Sequence, residues 1–335
     1  MIITTLHQQL GGWGRVGYIQ YRDSENYLTP NVSYCEDKKC VHYNYEFPLV
    51  GDFYYSDGTF SNDLDTSKTC IGVCVIPSGF LPDRKARIMS LKEMDNNNPE
   101  NGSLSHVGMY CGQYDVDTPI KNQTTFTTID PNAVGSYDGT TIGSNSGGYL
   151  STDRKDAAWQ SGMENNVDKG TNWYSQANAY LPSPYMVVNG KEVLCPQYNS
   201  GALSDFDGKG NTAILTKLHT VQNWKTADKI TNGSGSTYTP AAVCCARYKT
   251  EGTNSGDWYL PAIGELGFIA PRFNEIQNSL LVLGKNKAIP LHTNYHYWSS
   301  TEYSKRFKLG FYTYFGMVFN YVKDRQNYVR AFRIV

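Results

Sequence analysis

Residues 295–335 read YHYWSSTEYSKRFKLGFYTYFGMVFNYVKDRQNYVRAFRIV, and the two ends of this stretch are unlike its middle. Trp298 lies in an apolar and aromatic entry and Val329 to Val335 form a strand-like exit. Between them, Ser304 to Asn327 carry residues unsuited to an ordinary surface. Side chains alternate between faces along a strand, so Leu309, Phe311 and Thr313 share one side and Gly310, Tyr312 and Tyr314 the other. A turn at Phe315-Gly316 returns the chain. On the return strand Val318 and Val322 fit the covered side, with Asn320 a polar exception, and Met317, Phe319 and Tyr321 face the same way as Tyr312 and Tyr314. Two readings follow. The outward side is an aromatic patch of the kind that marks a partner surface, or the sheet is buried on both faces and these rings are core.

Composition narrows the classes of function. A chain of 335 residues buries a substantial core as one large domain or two. With 18% charged residues and a formal net charge of −1, no long-range field points to nucleic acid or an anionic membrane. The 31 glycines and 26 tyrosines, with Asn, Ser, Thr and Asp between apolar runs, favour short strands joined by many turns. No apolar run approaches the roughly 18–20 residues of a membrane helix. Met1 to Leu10 has neither a basic start nor a long apolar segment. That favours assembly without the general secretion route, as in a virion, unless a leader has been removed.

Eight cysteines are too few for a disulfide framework in a chain of this length. Cys35-x4-Cys40 and Cys70-x3-Cys74 are open to reading as local disulfides, as halves of a metal site, or as simple thiols. No paired CxxC completes a zinc pattern, and His292 and His296 lack a carboxylate partner, so no metal or cofactor is expected.

In chain order, residues 1–46 are rich in Tyr, Gly and polar residues and read as an attachment or assembly segment. The runs 49–58, 70–76 and 86–91 read as strands, so a sheet starts near residue 47 and one domain is expected over 47–335. From about 95 to 205 Asn, Gly, Thr, Ser and Asp dominate, as in long surface insertions. Asn98-Pro99-Glu100 reads as a turn, and Ser151 to Met163 opens like a capped helix. Asp207-Gly-Lys-Gly-Asn-Thr leads into a short apolar run but lacks the residue order of a phosphate loop. Thr239-Pro240 starts a helix that Gly252 lies beyond. Ile263, Leu266, Ala270, Phe273, Ile276, Leu280 and Leu283 recur at helical steps with a break at Pro271. Two main helices with many short antiparallel strands and long loops make an α+β fold.

Three segments then carry a resemblance: Gly256-Asp-Trp-Tyr-Leu-Pro-Ala-Ile-Gly-Glu-Leu266, Tyr297-Trp-Ser-Ser-Thr-Glu-Tyr303 and Tyr328-Val-Arg-Ala-Phe-Arg333. In that order they resemble the C-type-lectin-like domains of the Legionella collagen-like C-terminal group, and within it the variable proteins of diversity-generating retroelements in gut Bacteroidetes and their phages. The resemblance spans roughly residues 205–335 and more weakly 49–91. It implies a scaffold at Trp258, Leu260, Pro261, Glu265, Leu266, Trp298, Tyr328 and Arg330, with Glu302, Tyr303, Gly316, Val318, Lys323 and Val329 also in the frame. It implies a ligand-binding region at about 295–330, with variable positions Tyr295, Ser304, Arg306, Phe307, Tyr312, Tyr314, Phe315, Met317, Phe319, Tyr321, Asp324, Arg325 and Asn327. Leu309 stands where the family often has Trp.

That face suits adhesion better than catalysis. Tyr and Phe supply area with few rotors to freeze, Arg306 and Arg325 add planar donors, and Asp324 adds a counter-charge. The expected function is receptor binding at a phage tail-fibre tip, with a bacterial pilus-tip or cell-surface adhesin as the alternative. Expected partners are a cell-surface protein or glycan, a tail or pilus component through residues 1–46, and further copies of the chain, a trimer by family analogy. Formylglycine-generating enzymes share the broad fold but need a reactive cysteine pair in the C-terminal core, and here no Cys follows Cys245. The calcium triplet and Trp-Asn-Asp partner of sugar-binding lectins are also missing.

Overall fold

The computed structural model describes residues 31–35, 40–44, 48–111, 179–180, 183–189, 191–199, 201–221, 230–231, 237–302, 307–322 and 325–335. Short strands separated by turns run through all of it. They are β1 (Asn31–Cys35), β2 (Cys40–Asn44), β3 (Phe53–Tyr55), β4 (Phe60–Ser61), β5 (Cys70–Ile76), β6 (Arg87–Ser90), β7 (Met109–Tyr110), β8 (Ala179–Tyr180), β9 (Tyr185–Val188) and β10 (Lys191–Leu194). Helix α1 (Gly208–Val221), β11 (Ile230–Thr231), β12 (Thr237–Tyr238), α2 (Ala241–Arg247), β13 (Trp258–Tyr259), α3 (Ile263–Leu266) and α4 (Phe273–Leu283) follow. The chain closes with β14 (Tyr297–Glu302), β15 (Phe307–Tyr312), β16 (Met317–Val322), β17 (Gln326–Asn327) and β18 (Phe332–Ile334).

Every strand ladder among the described residues is antiparallel, and helices pack against the sheets, so the fold is α+β. A six-stranded sheet has the order β13-β18-β6-β5-β3-β4, and a four-stranded sheet the order β14-β15-β16-β8. β5 is apolar along almost its whole length because both its faces are covered. Gly72 within it is required by close approach: a Cβ there would lie 2.9 Å from the Met89 carbonyl and from Ile88 Cδ1. Helix α4 packs on β5, burying Phe273, Ile276, Leu280 and Leu283 at three- and four-residue steps, and the buried Ser279 hydroxyl donates to the Gly51 carbonyl at 2.7 Å. Pro271 falls in a 3-10 turn (Ala270–Arg272) between α3 and α4, which is the predicted break.

Where the sequence shows a glycine-bearing entry to a short apolar run, the structure has helix α1. Asp207 Oδ1 accepts the Gly210 N–H at 2.9 Å and so caps its first turn. Gly208 is required because a Cβ would come within 2.7 Å of the Ala262 nitrogen and 2.8 Å of the Leu260 carbonyl. The predicted helix at 151–163 lies outside the described residues. The Asn98-Pro99-Glu100 turn is present, closed by Gly102 N–H to the Asn98 carbonyl at 3.0 Å. Cys70 and Cys74 are thiols rather than a disulfide.

The scaffold positions form buried networks. Glu265 accepts from Arg87 Nε (3.0 Å), Tyr259 hydroxyl (2.8 Å) and Ala262 N–H (2.9 Å). Asp205 Oδ2 accepts from Asn211 Nδ2 and the Thr301 hydroxyl, both at 2.8 Å, and Thr301 Oγ1 in turn accepts the Ile263 N–H. This chain of bonds joins α1, α3 and β14. Trp258, Leu260, Pro261, Leu266 and Trp298 are all buried, and Trp298 Nε1 donates to the Met109 carbonyl at 2.8 Å. Buried Arg330 donates to the carbonyls of Ser90, Ile289 and Pro290, tying the chain after β17 to β6.

Candidate ligand-binding face

The four-stranded sheet has two unlike sides. Leu309, Phe311 and Val318 point into the core and are fully buried, and Thr313 joins them at 1% exposure. The register pairs Gly310 with Phe319 and Tyr312 with Met317 across β15 and β16, which puts those four residues and Tyr321 on the opposite side, as alternation predicts. Rings then cover that side continuously. Tyr312 contacts Phe315 and Phe319, Phe319 contacts Tyr321, and Tyr314 packs edge-on between Phe273 and Phe315. Tyr295, Tyr314, Phe315 and Tyr321 are 52%, 49%, 44% and 37% exposed, and Arg325 is also exposed. Of these rings only Tyr321 belongs to a strand: Tyr295 precedes β14 and Tyr314 and Phe315 lie in the turn, while on the same side of the sheet Trp298, opposite Gly310, and Lys308, opposite Tyr321, are buried, so the face is open only along its Tyr312, Met317 and Tyr321 edge.

Two predicted contact residues are corrected. Phe319 points outward but is only 6% exposed, because its ring lies across Gly310, where a Cβ would come within about 2.5 Å of it, and beneath His296 and Tyr321. It is the floor of the face rather than its rim. Asn327 is 4% exposed because β17 pairs with β7, placing Asn327 opposite Met109. Tyr312 and Met317 are half-buried. Ser304, Arg306 and Asp324 lie outside the described residues, as does the side chain of Phe307. The sheet also has a partner no local pattern revealed: β8, from the predicted insertion, pairs with β16 through Ala179 and Tyr180.

The two histidines do not converge. The His296 ring sits over Phe319 and Tyr312, whereas His292 packs with His106, Tyr295 and Tyr328. His106 Nδ1 lies 2.9 Å from Glu93 Oε1, a buried carboxylate that also accepts the Tyr297 hydroxyl at 2.9 Å. Among the described residues no group of three or more His, Cys, Asp or Glu is arranged to hold a metal ion.

Burial holds the His296 pKa down at about 4, against the pull of a hydrogen bond with Asn327. The sign of the resulting pH dependence follows. The folded pKa lies below the unfolded one, near 6.5, so the unfolded chain takes the proton first and stability drains away as pH falls from about 6.5 to 4. Allowing for partial exposure, about 1–2 kcal/mol of unfolding free energy is expected to be lost through this group. Urea titrations at pH 7 and pH 4.5 check it, since His296→Phe is expected to remove that part of the acid loss.

No family model and no curated protein matches the sequence. Among solved structures, a fimbrial protein from Bacteroides ovatus is similar at 13% identity with a TM-score of 0.37, over 91% of this chain and 56% of that one. The chain thus spans little more than half the length of that protein, and a likeness at this level defines neither fold family nor activity.

Proposed function

We propose that this chain is a non-enzymatic receptor-binding adhesion protein on a C-type-lectin-like scaffold, and that the outward side of its terminal sheet grips a partner on another surface. The sidedness of β15 and β16 carries this reading. One side is sealed by Leu309, Phe311 and Val318, while the other opens to solvent at Tyr321 and partly at Tyr312 and Met317, and the exposed rings of Tyr295, Tyr314 and Phe315 stand in the flanking loop and turn. On the family resemblance, these outward positions are the ones a retroelement rewrites, while Trp298 and Arg330 belong to the frame. Residues 1–46 attach the domain to its carrier, a phage tail-fibre tip, or a pilus tip or bacterial surface in the alternative reading. Assembly as a trimer would multiply weak single contacts by avidity of about 10²-fold or more.

The state of the thiols supports a binding role over a thiol or copper enzyme. Cys244 and Cys245 are fully buried in α2, and burial pushes both thiols well above their usual range. A reactive cysteine needs the opposite environment.

Each aromatic anchor is worth about 1–3 kcal/mol of binding. Saturable binding of the labelled chain to cells in a bacterial panel is therefore expected. The combined Tyr295→Ala, Tyr314→Ala and Tyr321→Ala variant is expected to lose at least about 30-fold in affinity while remaining folded at the assay temperature, as a cooperative melting transition checks. An unaltered binding curve would sink the proposal. A near-copy of the codons for 295–330 differing at adenines, beside a reverse-transcriptase gene, is the matching genomic expectation.

A further inference from the structure

The turn that joins β15 to β16 is held against the 3-10 turn ahead of α4, and a cavity of about 250 Å³ opens between them. Gly316, at φ 67°, makes the approach possible, since a Cβ there would already lie 3.2 Å from Ala270 Cβ. Phe311 lines the cavity from the buried side of the sheet. Tyr314, Phe315, Pro271, Ala270 and Gly267 supply walls. We propose that this cavity is the anchoring subsite of the aromatic face, and that it takes one tryptophan or tyrosine side chain of a protein partner. The proposal rests on the adhesion reading above and names what that face holds.

Size, charge and hydrogen-bond sense each narrow the occupant. The cavity lies below the roughly 300–1,000 Å³ of sites built for drug-sized ligands, so it suits a single side chain rather than a cofactor or an oligosaccharide. None of its lining residues is charged, so an ionic group would lose its hydration there without a counter-ion. Several donors of the lining are already engaged, while the Tyr314 and Ser183 oxygens are acceptors. The Gly267 N–H donates to the Ile263 carbonyl, the Gly316 N–H to the Tyr312 carbonyl, the Ser183 hydroxyl to the Tyr185 carbonyl, and Pro271 has no N–H. A flat apolar ring carrying one donor, an indole N–H or a phenol O–H, matches that surface. Tyr314 and Phe315 stand at 82° to each other with centroids 4.9 Å apart, a corner that receives such a ring edge-on to one and face-on to the other.

N-acetyl-tryptophanamide, followed by saturation-transfer NMR on the full chain, is the direct probe. Transfer to the indole protons is expected, with a dissociation constant on the order of 0.1–1 mM for a fragment of this size. Tyr314→Ala and Phe315→Ala alter exposed walls and leave the fold intact; each is expected to weaken the signal at least about fivefold. Tyr321→Ala, which lies outside the cavity, is expected to change it less than about twofold. No transfer, an indole signal indifferent to both wall variants, or equal transfer to methyl β-glucoside overturns the assignment. The last of these would make the cavity a sugar subsite. The probe needs no partner, so a failure here is separate from a failure of the cell-binding experiment. If cells are not bound while the indole is, the adhesion reading falls and the subsite stands.

Discussion

Alanine in place of Glu265 is expected to lower the free energy of unfolding by about 3–5 kcal/mol, measured by urea denaturation at pH 7. The carboxyl is fully buried, and three donors converge on it from three elements: Arg87 of β6, Tyr259 of β13 and the Ala262 N–H that opens α3. Truncation removes the buried counter-charge of Arg87 and leaves its Nε without a partner, while one terminal nitrogen keeps the Asp83 carboxylate at 2.7 Å and the other the Lys85 carbonyl at 3.0 Å. Burial pushes the Glu265 pKa up to about 7, against the pull of Arg87, the Ala262 N–H and the Tyr259 hydroxyl. Gln at this position keeps an acceptor for Tyr259 and is expected to cost only about 1–2 kcal/mol. A loss below about 1 kcal/mol for the alanine variant would show that the network is not what joins β6, β13 and α3.

Trp298→Ala and Tyr321→Ala are expected to separate cleanly, although both residues belong to the stretch read as the ligand-binding region. Trp298 is fully buried and its indole donates to the Met109 carbonyl, so truncation leaves a cavity and an unmade bond at a cost of about 3–5 kcal/mol. Tyr321 is 37% exposed and meets Phe319, His296 and Trp298 from the solvent side, so its loss uncovers part of those rings but leaves no enclosed cavity and is expected to change stability by about 1 kcal/mol or less. The readout is the denaturation midpoint of each variant against the parent. Equal losses would mean that the outward rings hold the fold together, and a surface that must be kept cannot be freely rewritten.

Local patterns carried much of this architecture. Period-two alternation placed Leu309 and Phe311 inward and Tyr312 outward, and helical spacing with Pro271 marked the break between α3 and α4. What the sequence hid is long-range. The residues opposite β16 and β17 are Ala179–Tyr180 and Met109–Tyr110, more than a hundred residues upstream, and nothing local to Asn327 announces that β7 will cover it. Burial of Phe319 depends on the absence of a side chain at Gly310, a cross-strand relation visible only once the register is known. Helix α1 went unread because Gly208 and Gly210 argue against a helix, while Gly208 is imposed by the backbone it presses on. The cavity beside Tyr314 was hidden for a similar reason, since Gly267, Ala270 and Pro271 meet the turn only in space.

β18 is an interior strand, flanked by β13 through Phe332–Tyr259 and by β6 through Phe332–Met89. During synthesis the ribosome must therefore deliver more than three hundred residues before the larger sheet can be completed, and until then the edge of β6 opposite β5 has no mate. Strand pairings this distant in sequence close slowly. Nascent chains waiting with an open edge are prone to pair with one another. Production of this protein is accordingly expected to favour slow translation, low temperature and chaperone support over high expression rates.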